Sequence, residues 1–179
     1  MNEAIEAKND ADAAMERNQE GKYLSFVLGD EEYGIKILSV REIISVIEIT
    51  AIPNVPAYVK GVINLRGNVI PVVDLRLKFG MSEKEYGKET CTIVVNMADR
   101  LMGIIVDTVS EVLDIHDKDI GAPPSFGSSV NTNFILGMGK IKDTVVVLLD
   151  IGQVLQSEDL VIIQSSVGTL KSMEESDNV

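Results

Sequence analysis

The side chains able to do chemistry are few and poorly grouped. His116 is the single histidine and Cys91 the single cysteine, whereas a zinc site takes four ligands drawn from Cys, His and carboxylates at tight spacing. Asp114, Asp117 and Asp119 flank His116 without the spacing of a calcium loop, and such a run reads as a solvated loop. Gly137-Met138-Gly139-Lys140 has the outline of a phosphate loop, but the frame before the lysine and the following Ser or Thr are missing. Ser125, Ser128 and Ser129 have no histidine beyond His116 to activate them, so no nucleophilic triad is marked. Asp74, Asp107 and Asp150 follow apolar runs and are formally available as paired acids, although strand-end carboxylates ordinarily face water or cap turns. No cofactor or metal is expected, and an enzyme has no residue set to rest on.

Arg66 is different. In Asn64-Leu65-Arg66-Gly67 a guanidinium is carried at a turn, where its fork of donors can engage a carboxylate in two places, and Glu42 is the candidate partner. Two readings stand side by side: an intramolecular pair that fixes the turn, or a charged group that a partner touches. Both hold together if the pair sits at the mouth of a groove.

The elements that must position these residues are short strands. From Tyr23 onward, apolar runs of four to eight residues are broken by turn chemistry. Gly29-Asp30-Glu31 and Arg66-Gly67-Asn68 read as hairpin turns, with Gly and Asn in the latter tolerating positive φ. Aromatics are only 4% of residues and Trp is absent, so Val, Ile and Leu must fill the core, which favours sheet. A chain of 179 residues buries roughly 70% of its extended surface on folding, enough for a real core.

The strands also repeat. A shift of 69 places Gly34 on Gly103, Val40 on Val109, Glu42 on Glu111 and Ile43 on Val112; a shift of 76 places Gly61 on Gly137, Arg66 on Lys142 and Asp74 on Asp150. The difference falls in the Gly-, Pro- and Ser-rich stretch between His116 and Ser129, which suits an insertion. The expected architecture is therefore all-β, with two five-stranded barrel halves at about 23–78 and 91–155 and a short capping helix after residue 156. Closing a sheet removes exposed edges, and the seam between two such halves is a natural groove for a partner.

The net charge of −12 concentrates partly at the ends. Residues 1–20 carry Glu3, Glu6, Asp10, Asp12, Glu16 and Glu20 against Lys8 and Arg17, and residues 169–179 are acidic too. Both are expected as mobile tails around a domain at 21–168. An acidic body with few rings disfavours nucleic acid. The sequence has neither a signal-peptide pattern nor a run approaching 18 apolar residues, so no direct membrane insertion is expected. One cysteine allows no intrachain disulfide, which suits a reducing cytoplasm.

Three segments, YLSFVLGDEEYGIKILSVREI, IPNVPAYVKGVINLRGNVIPVVDLRLKFG and GIIVDTVSEVLDI, together with residues 137–150, resemble the CheW family of chemotaxis coupling proteins. The resemblance covers nearly everything except the tails. It implies two SH3-like β-barrels around a shared apolar core. It also implies a cytoplasmic adaptor that joins the cytoplasmic tips of methyl-accepting chemoreceptors to the regulatory domain of the histidine kinase CheA, at membrane-associated arrays. Carried over by position, Ile37, Val40, Glu42, Arg66 and Val109 are expected on the receptor side, and Gly61 and Val112 on the kinase side. The alternatives from other classes are a small-ligand-binding β-barrel and an unrecognised enzyme.

Overall fold

A computed structural model describes residues 19–123 and 132–155. The strands are β1 (Lys22–Leu28), β2 (Glu31–Lys36), β3 (Val40–Ser45), β4 (Val59–Leu65), β5 (Asn68–Asp74), β6 (Cys91–Met97), β7 (Arg100–Val106), β8 (Thr108–Asp114), β9 (Ile120–Gly121), β10 (Ile135–Ile141) and β11 (Thr144–Leu149). Two short helices, α1 (Leu75–Lys78) and α2 (Ile151–Leu155), follow β5 and β11. The expected capping helix after residue 156 and most of both acidic tails lie outside the described residues; α2 ends just before that point.

The strands form two sheets, in the orders β8-β1-β2-β11-β10-β9 and β3-β6-β7-β5-β4. This corrects the expected division of the chain. Neither sheet is made from one linear half: β1 and β2 join the later strands, while β6 and β7 join the earlier ones. The physical reason lies in two parallel pairings, β5 with β7 and β11 with β2. Each places the hairpin of one repeat against the closing strand of the other, so the repeats exchange hairpins rather than folding alone.

Register shows how faithfully the repeat is kept. Val72 faces Gly103 across one parallel seam, and Leu148 faces Gly34 across the other. The antiparallel pairs Ile43 with Ile93 and Val112 with Leu24 also correspond. Bulges recur at matching positions, between Val59 and Gly61 and between Ile135 and Gly137.

Both sheets must curl. A flat six-stranded sheet is about 24 Å wide, yet its two edges, β8 and β9, are joined by the six steps from Asp114 to Ile120, which span at most about 21 Å. In the second sheet the chain leaving β3 reaches β4 by Thr50, which exchanges backbone hydrogen bonds of 2.8 and 2.9 Å with Val62. Gly61 is required there. It has φ 141°, and a Cβ would stand 2.0 Å from the Thr50 carbonyl oxygen.

Alternation along the strands feeds three apolar clusters. Leu24, Phe26 and Leu28 of β1 meet Ile93, Val95, Met102, Ile104 and Val106 of β6 and β7 in a core shared by both sheets, sealed by Leu75 and Val154. Intervening residues point into each curl: Ile70, Val72, Val94 and Ile105 in one, Tyr23, Val146 and Leu148 in the other. Burying each such aliphatic side chain stabilises the fold by about 1.5–3 kcal/mol.

Candidate functional site

The β4–β5 turn has two residues, with Leu65 paired to Asn68. Positive φ falls on Arg66 (51°) and Gly67 (85°), not on Asn68 as the sequence suggested. A two-residue turn whose twist matches the strands places both central residues there, and the Asn64 side-chain oxygen accepts from the Gly67 N–H at 2.9 Å. Arg66 is thereby lifted off the turn. Its Nη1 donates to Glu42 Oε1 at 2.7 Å and its Nη2 to Oε2 at 2.8 Å, a bidentate pair.

The pair ties β3, one edge of the second sheet, to the turn at its other end. The hydrogen bonds from Arg66 hold the Glu42 carboxyl below the usual glutamate value; partial desolvation opposes them, and the charges of Arg66 and Arg41 add to the lowering. The matching Glu111 and Lys142 form no ion pair among the described residues. A lysine has no guanidinium fork to fix a carboxylate in two places, and Glu111 is instead held by its backbone, which exchanges hydrogen bonds with buried Ser25 Oγ.

Around this pair the sequence-predicted residues separate by burial. Ile37, Val40 and Val109 are half-buried and pack on the rim of the shared core. Val112 is 51% exposed on β8, and its repeat counterpart Ile43 is 43% exposed on β3 beside Glu42. Gly61 is buried, and its lack of a side chain has the packing reason given above. Gly61 on β4 and Val112 on β8 thus belong to different sheets.

Sequence reading missed an aromatic ladder. Phe26, Tyr33, Phe79 and Phe134 succeed one another with ring centroids 5.9, 5.8 and 5.7 Å apart. Its outer rungs line an open groove of about 650 Å³ with Lys78, Gly80, Ile135, Met138 and Val147. The groove draws one wall from β2, β10 and β11 and the other from the end of α1, so it lies where the two sheets meet. Lys78 Nζ sits 4.3 Å from the Tyr58 ring centroid, and burial lowers its pKa. The rings are scattered through the sequence, and only the exchanged hairpins bring them into line.

The formal acids all have structural work. Asp74 is buried, caps α1 by accepting from Leu77 N–H at 3.3 Å, and accepts from the Tyr86 hydroxyl at 2.7 Å. Asp107 pairs with Arg76 at 2.5 Å. Asp150 accepts from Gln153 N–H at 3.4 Å in the first turn of α2. Lys140 lies on a strand, not before a helix. Among the described residues no His, Cys, Asp and Glu cluster is placed to hold a metal ion; the three serines fall outside them.

Comparison with known proteins matches this geometry. The chain is 40% identical to a chemotaxis protein CheW of Klebsiella aerogenes over 144 residues, covering 80% of this chain and 87% of the relative. It is 37% identical to that of Helicobacter pylori over 161 residues, covering 88% and 97%. The crystal structure of scaffolding protein TtCheW from Thermoanaerobacter tengcongensis superposes with a TM-score of 0.71 at 33% identity, covering 78% of this chain and 94% of that one. The family model of the CheW-like domain matches residues 22–159, a span that takes in both curled sheets and the Arg66 turn, and the chain belongs to that family.

Proposed function

We propose that the protein is a non-catalytic chemotaxis adaptor, coupling methyl-accepting chemoreceptors to the histidine kinase CheA. The observation that carries this reading is the likeness to proteins named chemotaxis protein CheW over most of the chain. The scaffolding title of the TtCheW structure supports it. In this reading each curled sheet is an SH3-like barrel, and a receptor helix enters the apolar groove between them by the helix-in-groove mode. Ile37, Val40, Glu42, Arg66 and Val109 serve the receptor side. Val112 serves the kinase side directly, and Gly61 serves it through the course of the β4 backbone. The adaptor works in the cytoplasm at membrane-associated arrays; among the described residues no helix is long and apolar enough to cross a membrane.

The test is co-sedimentation of the purified chain with receptor-bearing membranes and the kinase, together with a kinase assay. The chain is expected in the pellet with both partners, with receptor control of phosphorylation restored. A chain that stays in the supernatant and leaves the kinase unchanged would overturn the reading. One observation favours the small-ligand alternative: a groove of about 650 Å³ is within the size range of small-molecule sites. Ligand-dependent stabilisation in a metabolite screen, lost in Phe79→Ala, would support that alternative.

A further inference from the structure

Among the described residues the chain passes from one sheet to the other at two places, residues 37–39 and residue 107. At the second, Asp107 alone separates β7 from β8, and it is fastened to both sheets. Its N–H donates to the Val27 carbonyl at 3.1 Å. Its Oδ2 accepts from the Gly29 N–H at 2.8 Å and from Arg76 Nη1 at 2.5 Å. Gly29 lies in the β1–β2 turn of the first sheet, and Arg76 lies on α1, which follows β5 of the second. Arg76 Nε also donates to the Ser82 carbonyl at 3.1 Å. One carboxylate and one guanidinium thus tie the turn, the crossing and the chain after α1. Their side chains are only 10% and 15% exposed, so opening the contact would strand a buried charge.

The two elements joined in this way carry facing rings of the groove. Phe79 follows α1 directly, and Tyr33 lies on β2, the strand that leaves the Gly29 turn. Turn and chain are close there: a Cβ on Gly29 would stand 3.1 Å from Met81 Cε. The repeat supplies an internal comparison. The shifts of 69 and 76 put Leu38 at the place of Asp107 and Gly152 at that of Arg76, so the other crossing has neither the carboxylate nor the guanidinium. Leu155 stands there in place of Phe79, and it is closed into the core at 3% exposure. The charge pair and the ring that reaches the groove therefore occur together, on one side of the molecule.

We propose that Arg76 and Asp107 are positioning residues for the groove: they hold α1 against the β1–β2 turn and so fix Phe79 relative to Tyr33 and Phe134, which sets the separation of the walls that an apolar helix must fit. The inference rests on the reading of the groove as a helix site, and the experiment separates the two.

The full-length chain has four Phe residues, so fluorine NMR of protein labelled with 4-fluorophenylalanine reports each ring, the Phe79 and Phe134 lines being assigned by substitution to Tyr. Arg76→Met with Asp107→Leu removes both charges at once and keeps the fold where a single substitution would leave a buried charge unpaired. In this double variant the Phe79 and Phe134 lines should shift or broaden, and sedimentation with receptor-bearing membranes, without kinase, should need roughly tenfold more protein. Val94→Ala, a cavity inside the curl of the second sheet, should lower stability while leaving those lines and the sedimentation as in wild type. Unchanged Phe79 and Phe134 lines in the double variant would overturn the proposal, as would an equal shift in Val94→Ala, which would mark general loosening. Shifted lines with undiminished sedimentation would uphold the positioning role and overturn the groove as the receptor site.

Discussion

Arg66 and Glu42 neutralise each other through two hydrogen bonds of nearly equal length, so single and double substitutions separate the pair from its members. Arg66→Ala and Glu42→Ala should each weaken assembly with receptor and kinase by roughly tenfold, and the double variant should lose little more than either single one. Equal losses that add would place the two residues in independent contacts. The pair also has a pH signature. The Glu42 pKa is lowered in the folded protein, so the pair's contribution to stability is present above the unfolded glutamate value and is lost as pH falls through the lower folded one. By NMR, Glu42 should titrate below the ordinary glutamate range and return to it in Arg66→Ala. The partnership was legible in the sequence because a guanidinium at a turn needs a carboxylate and the repeat aligned the candidates. The positive φ of Arg66 was not: Gly67 and Asn68 looked the natural hosts, and only the two-residue register assigns the angle.

Among the elements, β4 and the Tyr86 contact to Asp74 at the start of α1 carry the sharpest tests. Gly61→Ala puts a methyl group against the Thr50 carbonyl in a backbone conformation that L residues rarely adopt, and should destabilise the fold by about 2 kcal/mol or more; a neutral result in denaturant melts would contradict the packing described for β4. Gly61 was read from sequence as a surface candidate because no pattern in one strand reveals that another segment crosses over it. Tyr86→Phe leaves the buried Asp74 carboxylate short of a donor and should cost about 1–3 kcal/mol. Burial, followed by the hydrogen bond to Asp74 and the nearby negative charges, raises the Tyr86 pKa well above its ordinary value. Its contribution to stability is therefore complete below the unfolded tyrosine value and is lost as pH rises beyond it. Alkaline unfolding should accordingly begin at lower pH in the wild type than in a Tyr86→Phe chain compared at matched initial stability.

The whole molecule is two curled sheets that trade hairpins and share one core. Strand rhythm and repeat were readable from the sequence, since alternation and turn residues are local. The exchange was not, since nothing local says whether β2 closes on its own repeat or on β11. That exchange makes the shared core cooperative: Phe26→Ala, at its centre, should cost about 3–5 kcal/mol and unfold both sheets in one transition. It also builds the groove, because Tyr33 and Phe134 from one sheet reach Phe79 beyond α1 of the other only through it. The adaptor reading stands or falls on whether this assembled surface joins two partners at once. The decisive measurement is sedimentation of CheA with receptor-bearing membranes as the chain is titrated in, using wild type and Arg66→Ala. The reading predicts that wild type carries the kinase into the pellet in a saturable manner and that the variant needs roughly tenfold more protein; kinase recovery in the pellet that does not depend on the chain would contradict it.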